Sequence, residues 1–151
     1  MSTKENVMSA TDKLIELSFT RTIPAAPAEV FGAWLDPTHP GNPWTGSRKV
    51  ILDARVDGLF FFATAKDPSW PHYGRFLAVE RNRRVQYTWM SPFTRGLEST
   101  VTVTFDRKGN DTLLTLTHAG LPDDAHGRLH QGGWEECLGK FLAPFAPRAK
   151  A

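Results

Sequence analysis

A chain of 151 residues with 40% hydrophobic side chains is long enough for one domain with a substantial core. Its 18 basic and 16 acidic residues leave a net charge of +2, too weak a field to mark a nucleic-acid partner. No apolar run reaches the roughly 18 residues of a membrane span, and the single cysteine, Cys137, excludes an internal disulfide and suits a reducing compartment.

In chain order, 1–13 carries no apolar core of signal-peptide type and is expected to be a disordered leader. Single-domain pattern fills 14–147, a tail follows at 148–151, and the whole reads as a soluble, cytoplasmic protein. From Ile15 to Ile23 apolar and polar residues alternate, the period of a strand with one buried face, and Pro24 closes it. Pro27 opens a short helix whose Val30, Phe31 and Trp34 fall on one side. Pro37, Pro40, Gly41 and Pro43 make 36–46 a connector or a broken second helix. Strands are expected near 48–55, 58–66, 72–81, 84–91, 97–106 and 111–118, separated by turns short enough to imply antiparallel pairing. Alternation puts Phe60, Phe62 and Thr64 on one face, and likewise Val85, Tyr87 and Trp89, then Val101, Val103 and Phe105, then Leu114, Leu116 and His118. Thr100, Thr102, Thr104, Thr115 and Thr117 occupy the other, wetter face.

Such a one-sided sheet needs a cover, and the segment from Leu121 to Pro147 supplies it. At about 100° per residue, Gly127, His130, Trp134, Leu138, Phe141 and Phe145 form one stripe. Pro122, Asp123 and Asp124 are read as its start, and Pro144 and Pro147 as its end. Gly127, Gly132, Gly133 and Gly139 each cost roughly 1 kcal/mol in a helix interior, so packing must hold this helix. The fold class is therefore α+β, a curved antiparallel sheet of about seven strands wrapped on a long C-terminal helix. A single helix stripe cannot fill such a sheet along its length, so a cavity between them is expected.

Ordered motifs carry a family resemblance. Arg21-x-Ile23-x-Ala25-x-Pro27-x-Glu29-Val30-Phe31-x-Ala33-Trp34, the following Trp44, Asp57-Gly58-x-Phe60-x-Phe62, Gly74-Arg75-Phe76 and Arg84-Val85-x-Tyr87-Thr88-Trp89 resemble the activator of heat-shock protein 90 ATPase homologue-like family. So do Thr100-Val101-Thr102-Val103-x-Phe105, Thr112-x-Leu114-x-Leu116-x-His118-x-Gly120 and Gly133-Trp134-x-x-x-Leu138. One departure is Asp57-Gly58, where the family commonly has two glycines. The resemblance, which runs from Leu14 to Phe145, implies the helix-grip fold of the START-like, Bet v 1-like superfamily, also called SRPBCC, with a cavity for a hydrophobic ligand. It does not fix a function, since such folds host many.

The residues expected to line that cavity are Trp34, Trp44, Phe60, Phe62, Tyr73, Tyr87, Trp89, Val101, Val103, His118, His130, Trp134 and Leu138. Tyr73, Tyr87, Trp44 and Trp89 carry polar handles that could orient a ligand, although large aromatics also dominate ordinary cores. His118 reads either as a bonded core histidine or as an acid or base. Gly127 leaves either a mouth for a ligand or room for close helix packing. His126 and His130 are four apart on the helix, but no third ligand accompanies them, so no metal or cofactor is expected. Cys137 at the stripe's edge reads as buried and inert. Arg81, Arg83 and Arg84 make a basic turn. Three functions follow: a carrier of a small hydrophobic or aromatic molecule, a co-chaperone-like domain with a chaperone as partner, or a cyclase- or hydratase-like enzyme using His118 or His130 with Tyr73. A homodimer stays open.

Overall fold

A computed structural model describes residues 13–145, which leaves most of the expected leader, the tail and Pro147 outside the described residues. Ten elements are formed: β1 (Leu14–Ile23), α1 (Pro27–Trp34), β2 (Arg48–Leu52), β3 (Leu59–Ala63), β4 (Pro71–Glu80), β5 (Arg84–Trp89), a 3-10 turn (Pro92–Thr94), β6 (Ser99–Lys108), β7 (Asp111–Pro122) and α2 (Ala125–Leu142). The seven strands form one antiparallel sheet in the order β1-β7-β6-β5-β4-β3-β2. This is the α+β helix-grip architecture. Every expected strand exists, and the expected inward rows are buried, Phe60 with Phe62, Val85 with Tyr87 and Trp89, Val101 with Val103 and Phe105, Leu114 with Leu116 and His118, except that Thr64 lies past the end of β3 and is half-buried. The threonines opposite them are half-buried rather than fully wet.

The long helix begins later than its sequence pattern indicates. Leu121 and Pro122 belong to β7, where they pair with Ile15 and Leu14 of β1. Asp124, and not the proline, sets the helix start: its carboxylate accepts the Gly127 N–H at 2.9 Å, satisfying one of the donors that every helix N-terminus leaves open. That bond holds the Asp124 carboxyl below its ordinary range. Gly127 then settles between its two readings. A Cβ there would sit 1.9 Å from the Pro122 carbonyl oxygen, so the missing side chain allows close approach of helix and strand rather than leaving a mouth.

The 36–46 segment is a connector of turns organised by Asn42. Its amide donates to the carbonyls of Ala33 and Asp36, both at 2.8 Å, closing the end of α1, while its oxygen accepts the Trp44 N–H and the Thr45 hydroxyl. Trp44 in turn donates from Nε1 to the Trp34 carbonyl at 2.8 Å. Gly41, at φ 90°, lies so tightly against α2 that a Cβ would be 2.1 Å from the Phe141 amide nitrogen. The connector is thus clamped to the end of α2 and becomes one rim of whatever opening the helix leaves.

Candidate functional site

Aromatic rings fill the space between sheet and helix. Trp34, Trp44, Phe60, Phe76 and Tyr87 are essentially without solvent contact. They meet largely edge to face, with Trp44 and Phe60 centroids 5.1 Å apart and Phe60 and Tyr87 5.5 Å apart, the arrangement that aromatic quadrupoles favour. The polar atoms of this cluster are paired internally, Trp34 Nε1 with the Tyr87 hydroxyl and Trp44 Nε1 with the Trp34 carbonyl. Burial drives the Tyr87 hydroxyl strongly toward its protonated form. This end of the grip is solid.

Toward the other end the packing opens. A cavity of about 750 Å³ lies between the connector (Pro40 to Ser47), the β3–β4 loop (Thr64 to Trp70) and the α2 face carrying Leu129, His130, Gly133, Trp134 and Cys137. Phe62, His72, Trp89 and Phe93 complete the wall. On α2 the glycine that borders it is Gly133, where a Cβ would meet nothing within 4 Å. Of the residues expected from the sequence, Phe62, Trp89, His130 and Trp134 reach this cavity. Trp34, Trp44, Phe60, Tyr87, Val101, Val103, His118 and Leu138 are buried behind its wall as core. Tyr73 requires a correction. It is 45% exposed on the outer face, because β4 turns His72, Gly74 and Phe76 inward, and the strand's period of two sends Tyr73 out. His72, Trp70 and Phe93 are lining residues that the sequence reading passed over.

His118 is neither a ligand contact nor a free base. Its Nδ1 accepts from Trp134 Nε1 at 2.9 Å, and its Nε2 lies 2.8 Å from Ser99 Oγ. Ser99 Oγ itself donates to the Trp89 carbonyl at 2.6 Å. A carbonyl cannot donate, so the proton order is fixed: Trp134 N–H to His118, His118 Nε2–H to Ser99, Ser99 O–H to Trp89. The chain of bonds ties α2 to β7, β6 and β5, and it requires a neutral imidazole. Burial first, then the nearby His130, holds His118 well below the ordinary histidine range. Both His118 nitrogens are committed, and Tyr73 lies on the opposite face, away from His118 and His130 alike, so the pairing of either histidine with Tyr73 is not assembled.

Two other imidazoles face the cavity. His72 stacks on Phe62, centroids 4.7 Å apart and planes 5° from parallel, and its Nδ1 lies 3.1 Å from the Trp70 carbonyl oxygen. His130 Nδ1 lies 3.0 Å from the Gly127 carbonyl oxygen. In both, Nδ1 must carry the proton, which leaves Nε2 with a lone pair. Burial pushes His72 down to about 4 and lowers His130 as well, so both are neutral at pH 7. Burial raises the Cys137 thiol to about 11, which denies it thiolate reactivity. No group of three His, Cys, Asp or Glu side chains able to hold a metal occurs among the described residues. Nor does any helix among them have the length and apolarity to cross a membrane.

Fold and cavity together define a helix-grip domain with an aromatic-walled opening beside its closing helix. The family described as "Activator of Hsp90 ATPase homolog 1-like protein" matches residues 24–145, and the chain belongs to it. Solved structures agree. A protein from Chromobacterium violaceum superposes with a TM-score of 0.72 at 25% identity, covering 86% of this chain and 96% of its own. One from Micromonospora echinospora gives 0.63 at 26%, covering 84% and 71%. An HSP90 activator from Plasmodium falciparum gives 0.70 at 21%, covering 87% and 96%, a likeness of fold. No curated protein matches the chain.

Proposed function

We propose that the protein binds a small hydrophobic or aromatic molecule in the cavity between the sheet and α2. The observation that carries this reading is the 750 Å³ opening walled by Phe62, Trp70, Trp89, Phe93 and Trp134. Such a volume lies in the range of small-molecule sites, and its walls are the apolar, aromatic kind that such sites use. Titration with neutral bicyclic aromatics, followed by tryptophan emission, tests it, because Trp70, Trp89 and Trp134 border the site. A saturable change is the expected result; a flat response across a broad panel of lipophilic compounds contradicts the reading.

A second reading is a co-chaperone role, stimulation of a heat-shock protein 90 ATPase. Family membership supports it, and so does a feature of the outer face. Ile51 pairs with Phe61, Phe61 with Tyr73, and Tyr73 bridges to Met90, giving an apolar row across the sheet, with Ile51 59% and the neighbouring Leu59 61% exposed. Exposed apolar rows of this kind are where proteins meet partners. Co-purification with the chaperone and a rise in its ATPase rate are the expected signs, and an unchanged rate at saturating domain removes this role.

A further inference from the structure

Trp89 Nε1 is the one buried side-chain nitrogen or oxygen among the described residues that has no hydrogen-bond partner. The indole is 6% exposed, and leaving such a donor unpaired costs on the order of 1–3 kcal/mol, so an unpartnered buried group calls for an explanation. No neighbouring group accepts from it. The rings of Phe60, Phe62, His72, Tyr87, His118 and Trp134 surround it at centroid distances of 5.2–6.3 Å. Of their polar atoms, the Tyr87 hydroxyl takes the Trp34 N–H, and both His118 nitrogens are engaged in the chain to Trp134 and Ser99. What remains beside Trp89 is the cavity that its own ring helps to wall.

The same wall carries the complement of that donor. His72 and His130 each spend Nδ1–H on a backbone carbonyl and present an Nε2 lone pair with no bonded partner. At the rim, Asp67 pairs with Arg48 and Glu136 with Lys140, and Lys66 adds a further cation. Inside that charged rim the site has one donor and two acceptors in an apolar, aromatic wall.

Resting on the ligand-binding reading above, we infer that the occupant is a neutral aromatic molecule bearing a hydroxyl group, whose oxygen accepts from Trp89 Nε1–H while its proton is donated to the Nε2 lone pair of His72 or His130. A hydroxyl is the smallest group that does both. A carboxylate brings only lone pairs and faces the two imidazole lone pairs unpaired, and an ether can accept from Trp89 but gives nothing to the histidines.

The test is calorimetric titration of the full chain at neutral pH with 2-naphthol, 2-methoxynaphthalene and 2-naphthoate. The inference expects 2-naphthol to bind about tenfold more tightly than its methyl ether, the worth of one well-made hydrogen bond, and 2-naphthoate to be weakest. His72→Phe keeps the stack on Phe62 and should erase part of the naphthol advantage; Trp89→Phe should weaken naphthol and ether alike. His130→Leu, at a half-buried site on the helix surface, serves where His72→Phe fails to fold. Equal affinity for naphthol and its ether, or preference for the naphthoate, overturns the hydroxyl assignment while leaving the cavity as a binding site. Failure of all three to bind takes the ligand-binding reading down with it.

Discussion

Two aromatic regions adjoin in this molecule, and they differ in how their polar atoms are treated. In the core around Trp34, Trp44, Phe60 and Tyr87, indole and phenol groups bond to one another or to backbone. At the cavity wall, Trp89 Nε1 and the Nε2 atoms of His72 and His130 have no such partners. Aromatic richness is common to both and so marks neither as the site. Polar atoms paired within the protein mark the core, whereas the wall leaves polar atoms that no protein group meets.

The sharpest way to break this comparison is to damage each region in turn. Trp44→Ala removes a fully buried indole from the solid end and should cost ~3–5 kcal/mol in denaturant unfolding; a loss under 1 kcal/mol would mean that the core is not as continuous as described. Next in size is the pH response. His72, His118 and His130 all have folded-state pKa values below the unfolded value, so the unfolded chain binds more protons as pH falls. Stability should be fully present above about pH 6.5 and decline toward pH 4. His72 alone, with its value pushed to about 4, contributes on the order of 3 kcal/mol to that decline. Unfolding free energies measured between pH 7 and 4 should show the slope, and His72→Phe should flatten it by close to one proton; a pH-independent stability contradicts the neutral-histidine assignments.

Smaller is the effect of Trp134→Phe, which keeps an aromatic ring in place but strips the donor from His118 Nδ1. Leaving that buried acceptor unpaired should cost about 1–3 kcal/mol, read as a lowered Tm. Smallest, and of opposite sign, is Gly133→Ala. Nothing lies within 4 Å of the new Cβ, and alanine in place of glycine in a helix interior should raise stability by roughly 1 kcal/mol. A destabilised variant would show that Gly133 serves packing and not the opening.

Much of the fold was legible because its signals are local. Rows such as Val85, Tyr87, Trp89 and Leu114, Leu116, His118 follow from a period of two, and the Trp134, Leu138, Phe141 stripe follows from a helical one. The junction at Pro122 was not, since a proline suits both a helix's first turn and the end of a strand; pairing of Leu14 with Pro122, a contact between distant parts of the chain, decides it. The site was less legible for the same reason. Which aromatics are sealed and which reach the opening depends on where the connector and the β3–β4 loop come to rest against α2. Along β4 a shift of one residue exchanges His72 for Tyr73 at the inner face, the error to which strand patterns are most exposed. His118 was recognisable as a buried histidine, but its partners, Trp134 and Ser99, come from two other elements and are joined only by folding.

The central claim is that the opening beside Gly133 is where this protein binds its ligand. The most direct measurement compares the affinity of 2-naphthol for the native chain, for Gly133→Leu and for Gly139→Leu. Both glycines lie on α2 with free space around them, but only Gly133 borders the cavity. The account predicts at least a tenfold loss in Gly133→Leu, with native affinity in Gly139→Leu. Equal affinity in all three proteins would contradict it.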